Sequence, residues 1–285
     1  QLPRTAAELQ KISSGKVFGL FAADHLSAEI DRPHATPTEP TLEAMTAKAI
    51  ELLYKTPKGF FLMVEGSQVD WACHANDPGH MLSDLLMFDR AVAVALDFAR
   101  KDGHTLVLAL SDHSTGGMSI GNRKSDPNYS QTTEAALLDP LRGMKRSTPA
   151  MWKQIAPSPT PARVIEVVRQ GWGMTITEAD AQAILKVVAR DKDNPQNAFG
   201  EILCPRYTLI GWTTHGHTGA DVPLHAFGPD RPTGLLDAPE IGVATATALG
   251  VDLPAVSRRL FVDAAAALPD AKVRVDAESD PANPV

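Results

Sequence analysis

Two short stretches of unbroken apolarity limit what this chain can fold into. Gly59-Phe-Phe-Leu-Met-Val-Glu-Gly66 and Thr105-Leu-Val-Leu-Ala-Leu110 do not alternate apolar with polar residues. A strand with one face in water alternates, whereas a strand covered on both faces does not. These runs therefore predict buried strands of a parallel sheet. The residues between them supply a helix, because Leu82, Leu85, Leu86, Val92 and Leu96 share one face of Met81–Arg100 before Gly103 stops it. Gly15-Lys-Val-Phe-Gly-Leu-Phe21 reads as another short strand. Thr41 is set to cap a helix whose Leu42, Met45, Ala49, Leu52 and Leu53 face inward, ending before Pro57 and Gly59. This β-α-β-α-β order with short turns predicts an α/β fold, a doubly wound and mostly parallel sheet flanked by helices.

The pattern changes at Gly121. Prolines 149, 157, 159 and 161 alternate with helical stretches near Ala162–Gln170 and Thr177–Arg190, which reads as an insertion over the sheet. Sheet segments resume at Tyr207–Trp212 and Val222–Phe227, followed by a helix around Ile241–Leu249. The expected organisation is thus a core over residues 1–120, an insertion over 121–205, core again over 206–268, and a loosely ordered tail over 269–285. A net charge of -7 argues against nucleic-acid binding through phosphate neutralisation. No apolar run reaches the length of a membrane span. Cys73 and Cys204 could pair or remain thiols, and the sequence leaves both open.

Chemistry-bearing residues gather where the predicted strands end, the edge at which open α/β sheets bind ligands. Glu65 closes the first apolar run, with Asp70 and His74 following. If residues 70–74 are helical, the i,i+4 spacing puts a carboxylate and an imidazole on one face, a donor pair suited to Zn²⁺ but on its own more often a plain surface pair. Asp112 and His113 follow the second run directly. There both could turn to a metal, or Asp112 could cap the turn. His215 and His217 lie two apart in Trp212-Thr-Thr-His-Gly-His-Thr-Gly219, a turn of ligands or a polar loop. His25, His34, His80, His104 and His225 read as structural or surface residues.

Taken together, a carboxylate, Asp-x3-His, a later Asp-His and a final His-Thr-Gly resemble the alkaline phosphatase family. Asp89-Arg90-Ala91 and Ala226-Phe-Gly-Pro229 agree with it, and the resemblance runs from about Gly15 to Leu249 apart from the insertion. It implies hydrolysis of phosphate monoesters by two zinc ions and one magnesium ion through a phosphoserine. On the resemblance Asp70, His74 and His217 would form one zinc site, Asp112 and His113 part of the second, and Glu65 part of the Mg²⁺ site. His215 has no assigned role on the resemblance: it reads as an exposed loop histidine, or as one standing behind the ligands or touching phosphate. Trp71 occupies a position where other members carry Lys or His, which implies altered phosphate or metal affinity. Export to the periplasm or beyond and a homodimer are further implications.

The family's Asp-Ser-type nucleophile motif is not found between Gln1 and Val285. The resemblance implies that the nucleophilic serine, a bridging Asp, another Mg²⁺ ligand and a phosphate-binding Arg lie N-terminal to Gln1, on an accompanying segment of the same protein. Two rivals stand beside this expectation: a metal-binding protein without a nucleophile, and a related phosphodiesterase or sulfatase.

Overall fold

The computed structural model describes residues 1–270; the predicted tail falls largely outside them. In chain order the first compact unit, Gln1–Gly228, begins with α1 (Ala6–Gln10), α2 (Arg32–Ala35), α3 (Leu42–Leu53), α4 (Gln68–His74) and α5 (Pro78–Asp102). It continues through β1 (Val107–Ala109), β2 (Ser114–Thr115) and β3 (Ser119–Ile120). Helices α6 (Glu134–Arg142), α7 (Thr148–Ile155), α8 (Pro161–Trp172), α9 (Glu178–Arg190) and α10 (Asn197–Tyr207) follow. Strands β4 (Ile210–Gly211), β5 (His217–Thr218) and β6 (His225–Phe227) complete it. A second unit begins at Pro229 and holds α11 (Ala238–Ala248), α12 (Leu253–Leu260) and α13 (Ala264–Ala267).

Helix α3 starts as its sequence dictates, with Thr41 Oγ1 accepting from Ala44 N at 3.1 Å. Helix α5 is longer than its apolar stripe. Asp77 caps it through His80 N at 3.0 Å, and Gly103 ends it with φ 74°, a left-handed conformation that glycine adopts without strain.

The sheet departs from the expected one. Among the described residues the strands form three two-stranded antiparallel pairs, β1–β6, β2–β5 and β3–β4. Among the described residues Lys16–Leu20 pairs in the same direction with the first three residues: Gln1 N donates to Lys16 O at 2.7 Å, Phe18 N to Gln1 O at 2.9 Å and Leu20 N to Pro3 O at 3.1 Å. Residues 60–65 make no backbone hydrogen bond among the described residues, so no strand forms there. Their burial alternates: Phe60 sits against Phe98 of α5 at 6.1 Å, whereas Phe61 and Met63 stay 60% and 73% exposed. The expectation of cover on both faces therefore fails within residues 1–270. Without neighbouring strands the backbone finds no ladder partners, and the outer apolar face is left bare.

The best-packed region is the segment read as an insertion. Helices α6–α10 bury Met151, Val164, Val167, Trp172, Ile184, Phe199 and Leu203 in one cluster that also takes in Ile210. Each helix brings one apolar stripe to this core, and capping sets where the stripes begin. Thr160 caps α8, and Thr177 forms a capping box with Asp180 on α9. Asp180 also accepts from Tyr207 and Arg206, tying the end of α10 back to α9. The helical region joins the front of the chain through two buried carboxylates. Asp31 accepts from Ser147 Oγ at 2.5 Å, and Asp77 accepts from Thr148 N at 2.6 Å.

Candidate metal centre

Helix α4 has only seven residues, yet it carries two of the expected ligands. The i,i+4 spacing sets Asp70 Oδ2 3.4 Å from His74 Nε2, both side chains half-buried. The third ligand arrives by strand register. Thr115 pairs with His217 across β2–β5, and opposed residues of an antiparallel pair share a face. His113, two residues before Thr115, falls on that face as well. Its ring stacks on His217 with centroids 3.7 Å apart, and the His74 ring lies 5.2 Å from His217. Gly116, at φ 75°, lets the β2 turn approach α4, because a Cβ there would stand 2.8 Å from Cys73 O.

Donor atoms of Asp70, His74 and His217 lie within 4.8 Å of one another. A tetrahedral zinc with bonds near 2.0–2.1 Å separates its donors by roughly 3.3 Å, the spacing Asp70 and His74 already hold. One carboxylate oxygen and two imidazole nitrogens are also the donor chemistry that zinc accepts. The residues fit the metal.

Hydrogen bonds prepare these side chains for such a role. His74 Nδ1 donates to the His215 carbonyl at 2.5 Å, which orients the ring with Nε2 toward Asp70. His215 Nδ1 returns a bond to the His74 carbonyl at 2.8 Å, so the two histidines lock each other. Asn76 Nδ2 adds a third link, to Thr214 O at 3.1 Å. Thr115 Oγ1 donates to Asp70 Oδ1 at 2.5 Å and lies 3.1 Å from His113 Nδ1, which must then donate to it. His113 thus also turns Nε2 outward, 3.3 Å from Asp112 Oδ2.

The structure brings Asp70, His74, His113 and His217 together, with His215 behind them. Asp112 stands at the edge, its side chain 86% exposed and paired with His113. Glu65 is exposed and makes no ion pair or hydrogen bond among the described residues. Trp71 is 45% exposed and meets the His25 ring edge-on at 4.7 Å. Sequence reasoning missed Thr115, whose only signal was its place two residues after His113. It also missed the part played by the His215 backbone, which no side-chain pattern reveals. Both cysteines are free thiols; burial pushes Cys73 up to about 11 and Cys204 up to about 12.

Beneath α4 lies a buried polar group. His80 is 2% exposed and Asp84 1%. Burial pushes the Asp84 carboxyl up to about 7 and holds the His80 imidazole down to about 4. Burial likewise raises Asp77 to about 6.

Comparison with known proteins identifies the family. The sequence profile of the family described as alkaline phosphatase matches residues 4–251. Alkaline phosphatase 3 of Bacillus subtilis is 40% identical over 82% of this chain and 49% of its own length. The alkaline phosphatase of Schizosaccharomyces pombe is 30% identical over 86% of this chain and 46% of its own. Among solved structures, the Thermus thermophilus alkaline phosphatase superposes with a TM-score of 0.78 at 27% identity, covering 88% of this chain and 56% of that one. The cold-active enzyme of Shewanella sp. superposes with a TM-score of 0.64 at 32% identity, covering 80% and 54%. The chain spans about half the length of the relatives it matches.

Proposed function

This chain belongs to the alkaline phosphatase family, and on that premise we propose that it supplies the metal-ligand half of a site that hydrolyses phosphate monoesters. The observation that carries the reading is the convergence of Asp70, His74 and His217 across two separate elements. Those three residues hold the first zinc ion. Asp112 and His113 contribute to a second, and Glu65 to a magnesium site, an oxygen position suited to a hard cation. When bound, the metals supply Lewis-acid stabilisation of charge on the phosphoryl oxygens.

The chain's own groups do the positioning. The His215 carbonyl orients the His74 ring, and Thr115 fixes both Asp70 and His113. Trp71 places an indole beside Asp70 where a lysine would add positive charge, which leaves more of the phosphate's charge to the ions. The nucleophilic serine that would become phosphoserine, and the arginine that would clamp the phosphate, are assigned to the part of the relatives' length that this chain does not span. The same reading makes residues 121–205 an insertion on an α/β core whose mostly parallel sheet that other part completes. It also places the protein in the periplasm or outside the cell, as a homodimer. Among the described residues no helix is long and apolar enough to cross a membrane.

The test is turnover by the natural-length protein of an aryl phosphate monoester, a diester and a sulfate ester. Monoester turnover should dominate, vanish with a chelator and return with zinc. Preference for the diester or sulfate would move the protein to a different hydrolase of the same superfamily. Zinc binding without turnover of any ester would leave a metal-binding protein.

A further inference from the structure

Helix α4 has too little of its own to fix its roll. It is seven residues long, and its N-cap, Ser67, makes no side-chain capping bond. Its C-terminal end is held by the His74–His215 pair. Toward its N-terminal end it is held by the Thr115–Asp70 bond and by Gln68, itself 8% exposed. Gln68 Nε2 donates to Leu26 O at 2.7 Å and lies 3.3 Å from His25 Nδ1. Its Oε1 accepts from His80 Nε2 at 3.1 Å. His80 belongs to α5, and its Nε2 also lies 3.4 Å from Asp84 Oδ2, one turn further on. Asp84 accepts from Glu29 N through both oxygens, at 3.0 and 3.2 Å. Gln68 thus links α4 to a buried imidazole, and that imidazole is braced by a carboxyl fixed to the 26–31 loop.

We propose that His80, acting through Gln68, is a positioning residue that sets the roll of α4 and thereby the spacing of Asp70 and His74 toward His217. The proposal rests on the metal-site reading above. Gln68 stands two residues before Asp70, so any rotation of α4 that frees Gln68 Oε1 swings the Asp70 carboxylate about the same axis. Both partners are buried, so breaking the bond would leave a buried polar atom unpaired, and the bond favours one orientation. The i,i+4 spacing of His80 and Asp84 on a rigid 25-residue helix makes α5 the fixed reference against which the short α4 is set.

The test uses the natural-length protein with zinc alone as ligand. Chelator competition gives zinc affinity for the wild type and for Asp70→Ala, Gln68→Ala, His80→Asn and His80→Gln. Cobalt in place of zinc reports coordination geometry through its d–d bands. A glutamine at position 80 returns an amide N–H close to where Nε2 was, whereas asparagine does not reach. Gln68→Ala and His80→Asn should weaken zinc binding by about 10–100-fold, the range for partners behind metal ligands, and alter the cobalt spectrum. His80→Gln should bind close to wild type. Equal zinc affinity across all position-68 and position-80 variants would overturn the proposal. So would equal weakening by His80→Asn and His80→Gln, which would reduce His80 to packing. Far-UV circular dichroism separates either outcome from unfolding. Wild type and Asp70→Ala binding zinc alike would instead remove the metal-site reading, and the proposal with it.

Discussion

The helical region from α6 to α10 and the apolar run at residues 59–66 both carry large apolar side chains, with opposite fates. Trp172 and Phe199 are 1% and 0% exposed, whereas Phe61 and Met63 are 60% and 73% exposed. The helical region closes its own core because consecutive helices each bring a stripe to the same place. The run at 59–66 offers two apolar faces, and α5 covers one. Apolarity along a chain records how much cover a segment is built to receive. Where that cover comes from is a separate matter, decided by neighbours in space.

The comparison breaks or holds on unfolding measurements. Phe199→Ala should cost about 3–5 kcal/mol in urea, the range for emptying an aromatic site in a closed core. A cost near that of a surface change would mean the helical core is loose. Asp84→Asn asks whether the polar ground beneath α4 behaves as true interior. The Asp84 carboxyl sits among Glu29, Asp31, Asp77 and His80, and its folded pKa of about 7 lies above an ordinary 3.8. A raised folded pKa gives stability that is fully present below about pH 4 and lost as pH rises to 7. The loss is about 4 kcal/mol at most, from about three units at 1.36 kcal/mol each. His80, held down to about 4, works in the opposite sense and contributes stability that is lost as pH falls from 6.5 toward 4. Asparagine at 84 should therefore stabilise the protein above pH 7 and flatten its pH profile between about 4 and 7. No change in the profile would show that water reaches the site. Thr160→Ala, which removes the α8 cap, should cost about 1 kcal/mol. Phe61→Ser should cost least, within about 0.5 kcal/mol, as for an exposed position. A large cost there would mean the outer face of the run is covered after all.

Much of the candidate site was legible because its members lie close in sequence. Asp70 and His74 are one turn apart, and Asp112 and His113 are adjacent, so local spacing alone groups them. Thr41 and Gly103 mark helix ends for equally local reasons. What stayed hidden depends on pairings between distant segments. The Thr115–His217 register, which stacks His113 on His217, joins strands a hundred residues apart. The His215 carbonyl is invisible in any motif, and His80 looked like an ordinary helix residue until Gln68 met it. The parallel sheet is not visible among the described residues for the same reason. Continuous apolarity predicts cover, yet within residues 1–270 no strand arrives to pair with 60–65.

The two hydrogen bonds between His74 and His215 join residues 141 positions apart, and α6–α10 lie within that span. A metal held by Asp70, His74 and His217 would work as a removable staple at the neck of this long loop. Closing a flexible loop costs entropy that grows with the logarithm of its length. Here most of the loop is a packed helical body, so the free chain left to close is far shorter than the residue count. The staple then acts mainly on the neck. Zinc at a hundredfold excess over its dissociation constant would add about 2.7 kcal/mol there, and stripping the metal should loosen the joint between α4 and β5 before it disturbs the helices.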